Sequence, residues 1–252
     1  MPHDSRPTTS KVPAVTLGFW LIKIAATTLG ETGGDALSMS LGLGYLVSTA
    51  IFAVVFAAAV GAQIGARRFR PLLYWLTIVA TTTVGTTLAD FADRSLGIGY
   101  AGGSMLLLAL LLAALVTWYR VMGSIAVDSV ATPRAEAFYW ITIMFSQTLG
   151  TALGDWTADS AGLGYTGAMM IFGGLLLAVA AAYFWTRLSR TALFWLAFVL
   201  TRPLGAVLGD FLDKPIDHGG LALSRIGASG VLVALMLVFI LLLPQRPADK
   251  AH

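Results

Sequence analysis

One pattern is written four times along this chain: Trp-x9-Gly-x4-Asp. The copies are Trp20/Gly30/Asp35, Trp75/Gly85/Asp90, Trp140/Gly150/Asp155 and Trp195/Gly205/Asp210. A small residue follows each anchor glycine by four: Gly34, Ala89, Gly154 and Gly209. In the first three copies a Gly-x-Gly-Tyr ends at Tyr45, Tyr100 and Tyr165, while the fourth has Gly220 where the tyrosine would fall. An internal repeat constrains a fold more than any single motif, because each copy must be one structural unit stacked on its neighbours.

The unit is a pair of helices in an apolar solvent. Of the 252 residues, 57% are hydrophobic and 12% charged, against about 25% charged in soluble domains. The apolar runs reach the roughly 20 residues that a helix needs to cross a bilayer. The expected fold is all-α: a polytopic membrane bundle of eight transmembrane helices in four two-helix repeats, at about 14–66, 71–122, 135–186 and 191–243. The flanking residues 1–13 and 244–252 read as polar tails, with residues 1–11 expected to be disordered. The anchor glycines are spaced by 55, 65 and 55 residues, so a longer connection separates two halves. Two helices per repeat return the chain to the same side. The repeats are therefore parallel and related by rotation about the membrane normal, as a pseudo-four-fold bundle or two pseudo-two-fold halves.

Basic residues set the expected orientation. With the N-terminus inside, eleven of the 16 Lys and Arg fall on the cytoplasmic side and three, Arg94, Lys214 and Arg225, on the other. Both termini are thus expected in the cytoplasm, and the chain as a multi-pass protein of a plasma membrane. The repeated tryptophans read as anchors in the interfacial belt. There is no cysteine, and His3, His218 and His252 have no spaced histidine partner, so a zinc site of the usual kind is not expected. No cofactor is implied, and no basic-aromatic tract suggests nucleic acid.

Two stripes share the odd helices. Gly30, Gly34, Gly85, Gly150, Gly154, Gly205 and Gly209 lie four apart within their helices, which lets backbones approach closely. Beside them runs a polar stripe at i, i+4, i+8: Lys23, Thr27, Glu31, Asp35; then Thr82, Thr86, Asp90; then Gln147, Thr151, Asp155; then Arg202, Ala206, Asp210. Ionisable groups in a membrane cost about 2.5–3.5 kcal/mol each on insertion scales and face a partner or a wet cavity. If the odd helices surround one axis, Asp35, Asp90, Asp155 and Asp210 converge, with Glu31 as a fifth carboxylate. Converging carboxylates need protons or a cation, and an oxygen-only ligand set favours hard ions such as Mg²⁺, Ca²⁺ or Mn²⁺. Thr27, Thr82, Thr86, Gln147 and Thr151 would line a path to that site. Lys23 and Arg202 would be internal counter-ions, either fixed pairs between helices 1 and 7 or parts of a relay. Pro203 and the glycines could open local helix breaks that expose carbonyls.

The repeat, with its Thr-Leu-Gly and Gly-Asp pairs (Thr28-Leu29-Gly30, Thr148-Leu149-Gly150, Gly154-Asp155, Gly209-Asp210) and Gly-x-Gly-Tyr tails, resembles a family of uncharacterised bacterial integral membrane proteins. That family is built from a four-fold repeat of unknown function and often labelled "membrane-anchored protein". The resemblance spans about residues 14–243 and implies an integral bacterial membrane protein, with no activity to carry over. The fourth copy departs most, with Pro203 for Thr and Gly219-Gly220 for Gly-Tyr.

The expected function is a transporter or channel for a small cation, a divalent metal foremost, with the lipid bilayer and the ion as its partners. The alternative is a membrane scaffold in which the polar stripes only join helices. An intramembrane enzyme ranks last, since no Ser/His or metal-His constellation is present.

Overall fold

A computed structural model describes residues 10–249. Within them the chain forms eight helices: α1 Leu17–Asp35, α2 Gly44–Gly65, α3 Pro71–Asp90, α4 Tyr100–Met122, α5 Pro133–Asp155, α6 Gly164–Trp185, α7 Arg190–Asp213 and α8 Arg225–Leu242. Their ends follow local chemistry. The hydroxyls of Thr16, Thr132, Ser189 and Ser224 cap α1, α5, α7 and α8 by accepting a backbone N–H three residues on. Pro71 and Pro133 open α3 and α5, where the missing N–H has no helical partner to lose.

The repeated aspartate ends α1, α3 and α5, whereas α7 runs three residues past Asp210 to Asp213. In the first three copies the helix then loosens into a five-residue π-helical turn, Ala36–Ser40, Phe91–Ser95 and Trp156–Ser160. The Gly-x-Gly that follows reverses the chain, with both glycines at positive φ; in the second copy these are Gly97 at 68° and Gly99 at 80°. This explains the tail of the repeat. The fourth copy lacks the glycine pair at that place and turns instead through Lys214-Pro215 and a short 3₁₀ helix, Ile216–His218.

The helices form two concentric rings. α1, α3, α5 and α7 pack in a closed inner ring, each against the next and α7 against α1. Each outer helix packs on the inner helix of the following repeat: α2 on α3, α4 on α5, α6 on α7, and α8 back on α1. Six helices are long and apolar enough to cross a membrane. The outer four expose their apolar surface: Val54, Met105, Leu177 and Leu241 are each more than 70% exposed. Apolar surface exposed on this scale is compatible with contact with lipid. The remaining two, α1 and α5, carry charged residues that lower their hydropathy, and all of these but Arg134 are buried in the bundle.

The glycine seam works as a set of seats. A side chain on each inner helix lies over the anchor glycine of the preceding one: Thr82 over Gly30, Gln147 over Gly85, Arg202 over Gly150 and Thr27 over Gly205. All four occupy the same place in their repeats, three before the anchor. One turn on, Thr86 lies on Gly34, Ala206 on Gly154 and Glu31 on Gly209. A Cβ at any of the four anchors would run into these neighbours, so glycine is what brings the polar side chains to the axis.

Three expectations are corrected. Three of the four repeated tryptophans are not interfacial anchors: Trp75, Trp140 and Trp195 are 1–4% exposed and sit in an aromatic core with Phe19, Tyr74, Tyr139 and Phe194, while Trp20 is half-buried against it. The C-terminal segment and the α4–α5 connection cover two of them. Gln245 accepts from Trp75 Nε1 at 3.1 Å, and Ile125 O accepts from Trp195 Nε1 at 2.9 Å. The N-terminal segment is ordered where it is described: Ser10, Lys11 and Val12 are buried. The disorder expected for residues 1–9, and the basic residues Arg6 and Lys250, lie outside the described residues. Finally, α7 runs unbroken through Pro203, with Pro203 itself packed near Gly150.

Candidate functional site

Along the axis the inner helices stack their side chains in levels, four residues apart. Nearest the tails are Phe19, Tyr74, Tyr139 and Phe194, with the two tyrosine hydroxyls 2.6 Å apart. The next level holds Lys23 with Ile78, Ile143 and Phe198, all fully buried. Lys23 Nζ donates to Thr201 Oγ1 at 3.3 Å and lies 4.0 Å from the centre of the Phe198 ring. Lys23 thus pins α1 to α7 through a hydroxyl and a π-face, not through a carboxylate.

Arg202 lies one level further on, with Thr27, Thr82 and Gln147. Its Nη2 reaches across the axis to Glu31 Oε2 at 2.9 Å, Thr86 Oγ1 at 2.5 Å and Thr151 Oγ1. These three acceptors are the residues at one level of the other three inner helices. The fourth member of that level is Ala206, on the arginine's own helix. Arg202 therefore ties the whole ring together and pairs with Glu31.

The residues read as pathway-lining are all buried on the inner helices. Thr27, Thr86 and Thr151 return hydroxyl bonds to carbonyls of their own helices. Thr82 Oγ1 and both amide atoms of Gln147 have no hydrogen-bond partner among the described residues.

Beyond Arg202 the four repeated aspartates form a ring, each 1–4% exposed. The ring is split into two pairs, each bridged by one cation. Arg94 Nε lies 2.8 Å from Asp90 Oδ1, and its Nη2 lies 3.7 Å from Asp155 Oδ2. Lys214 Nζ lies 2.9 Å from Asp210 Oδ1 and 2.5 Å from Asp35 Oδ2. Both cations sit four residues after their own aspartate and reach the aspartate of the next repeat, so the ring has two-fold rather than four-fold symmetry. Burial works against the Lys214 ammonium, but Asp210, Asp35 and Asp213 outweigh it and hold its pKa well above the usual lysine range.

A further acid, Asp213, extends the Lys214 side of the ring and pairs with Arg225 Nε at 2.9 Å. Carboxylate oxygens of Asp35, Asp210 and Asp213 all lie within 4.8 Å of one another, as do those of Glu31, Asp35 and Asp90. Either trio could hold a metal ion. Asp155 belongs to neither, standing instead beside Arg94. Asp159 and Asp217 are exposed, and Asp93 is half-buried.

Sequence reasoning missed the roles of Arg94, Lys214, Asp213 and Arg225 in this cluster. It sorted the three basic residues by side of the membrane. A signal was present: nine residues after the anchor glycine the second and fourth repeats carry Arg94 and Lys214, where the first and third carry Met39 and Asp159.

The family profile of a Repeat of Unknown Function (DUF347) matches the chain four times, at residues 18–69, 73–124, 138–189 and 193–245. No curated protein and no solved structure is significantly similar to the chain. The chain belongs to the DUF347 repeat family.

Proposed function

We propose that this DUF347-repeat protein is an integral membrane carrier that binds a small cation at the aspartate ring and passes it across the bilayer. A divalent metal ion is the substrate class that suits the ring best. One observation carries this reading: four buried aspartates at a single level of the axis are bridged by two cations, Arg94 and Lys214, with Arg225 Nε a more distant third at 3.8 Å from Asp35 Oδ2. The other acids nearby, Glu31 and Asp213, have their own partners in Arg202 and Arg225. The ring itself is left with two carboxylates in surplus. Buried charge without compensation costs several kcal/mol, so the surplus is met by two protons or by one divalent ion. Exchanging one for the other leaves the ring's charge balanced in both states. The donors are all oxygens, which suits Mn²⁺, Mg²⁺ or Ca²⁺ better than softer ions.

Toward the tails the axis is filled by Arg202, Lys23 and the aromatic level. Passage therefore needs the inner helices to part on that side, by rocking of one half against the other. We assign the tail end to the cytoplasm and the aspartate end to the opposite face of a bacterial plasma membrane, from the placement of basic residues.

The test is flux into proteoliposomes across a panel of mono- and divalent cations. Wild type is expected to carry divalent ions, and Asp155→Asn to lose most of that flux while remaining folded. Arg202 also favours a second reading, a scaffold, because one guanidinium bonded to three other helices is what a purely structural bundle would use. Under that reading no cation in the panel moves, and Asp155→Asn changes only stability.

A further inference from the structure

Lys214 stands where a cation would. Its Nζ lies 2.5 Å from Asp35 Oδ2, 2.9 Å from Asp210 Oδ1 and 3.8 Å from Asp213 Oδ1. These are the three carboxylates whose oxygens fall within 4.8 Å of one another, a span that an ion with oxygen bonds of about 2.3–2.6 Å closes. Two of the oxygens remain unused by any hydrogen bond: Asp35 Oδ1, in a residue 1% exposed, and Asp213 Oδ1, in a side chain 0% exposed. A buried carboxylate oxygen without a donor costs free energy that a coordinated ion would recover.

The two ring cations differ in how they are held. Arg94 sits inside a π-helical turn, and its planar fork fixes the direction of its bonds. Lys214 follows the last residue of α7 with its backbone extended. That backbone is held by Ala222 N donating to Lys214 O at 2.9 Å, so the side chain moves without unfolding its neighbours. The lysine side chain is also 13% exposed, against 0–6% for the three acids it touches. Lys214 is thus the most exposed side chain of the group, a compact charge on a flexible stem.

We propose that Lys214 is a tethered, displaceable occupant of the cation site. A divalent ion entering from the aspartate end takes the ammonium's place among Asp35, Asp210 and Asp213, and the ammonium swings out to solvent. When the ion leaves, the ammonium returns, so the acids are never left bare. The exchange raises the positive charge among these carboxylates by one, which favours a divalent over a monovalent ion. This rests on the reading of the ring as a cation site.

The test uses the purified full-length protein and Mn²⁺. Lys214→Met keeps the stem and removes the charge. By isothermal titration calorimetry it is expected to bind Mn²⁺ at least about tenfold more tightly than wild type, and Lys214→Arg no more tightly than wild type. In wild type, saturating Mn²⁺ is expected to raise the reductive methylation of Lys214 several-fold, read by mass spectrometry. This second measurement decides the matter if Lys214→Met does not fold. Equal or weaker binding by folded Lys214→Met, or methylation unchanged by saturating Mn²⁺, overturns displacement and leaves the ring standing as a cation site. Absence of Mn²⁺ binding in wild type and in the folded variant overturns both.

Discussion

Arg202 is the side chain whose removal tells most about how this bundle is held. It is fully buried, it lies over Gly150, and a single nitrogen meets Glu31, Thr86 and Thr151. Arg202→Met preserves the aliphatic stem on the glycine seat but leaves the Glu31 carboxylate buried and unpaired. Breaking one side of a buried pair costs about 3–5 kcal/mol, whereas replacing both sides by neutral groups can cost little. Arg202→Met is therefore expected to lower the denaturation midpoint in detergent sharply. Arg202→Met with Glu31→Gln is expected to recover most of that loss, which a double-mutant cycle reads directly. The pairing was half legible in the sequence. The stripe put Lys23 and Arg202 among acids, but Lys23 meets Thr201 and Phe198 while Arg202 reaches Glu31, the acid of the next level. Which of two buried cations meets Glu31 depends on depth along the axis, and a stripe repeated every four residues does not rank depth across helices.

At the scale of elements, the two tails act as a single clamp on the aromatic end. The segment at Ser10–Ala14 runs between the α4–α5 connection and the C-terminal segment: Lys11 N donates to Val130 O at 3.0 Å, Ala14 N to Arg246 O at 2.8 Å, and Ala248 N to Val12 O at 2.8 Å. Lys11 Nζ donates to Ile64 O at 2.9 Å, at the C-terminus of α2, and meets Glu136 Oε1 at 2.7 Å, in the first turn of α5. A cation at a helix C-terminus and an acid at a helix N-terminus both agree with the helix dipoles. Lys11→Ala is expected to destabilise the protein by about 3 kcal/mol, since Glu136 is 1% exposed and loses its partner. Lys11→Ala with Glu136→Gln should sit between that variant and wild type; thermal unfolding of the purified proteins checks both. Helices, glycine seams and turn glycines were readable because each recurs in a fixed register. The clamp was not, because it is made once, from a few residues with no periodicity, and its burial of Trp75 and Trp195 turned expected interfacial anchors into core.

The whole molecule closes on itself across two seams. Inside the first half α1 packs on α3, inside the second α5 on α7, and the halves join where α3 and α4 meet α5 and where α7 and α8 meet α1. Both seams carry charge that only the other half completes. Arg94 of the first half reaches Asp155 of the second, Lys214 of the second reaches Asp35 of the first, and Arg202 finds its acid in Glu31. The direction in which the ring closes decides these partners, and nothing in a repeated sequence records that direction. Cutting the chain between Gly123 and Ser124 tests the consequence. Residues 1–123 and 124–252, expressed together, are expected to copurify as a one-to-one complex. Residues 124–252 alone are expected to fail. A pair of such halves would bring two Arg202 side chains to the axis with only Thr151 and Ala206 at the level where Glu31 is needed, and a buried guanidinium without an acid is among the costliest groups to leave in a bundle. Size-exclusion chromatography of each preparation in detergent reads the outcome. A stable assembly of residues 124–252 alone would mean that Arg202 does not depend on Glu31 and that the halves are closed by their apolar and glycine seams alone.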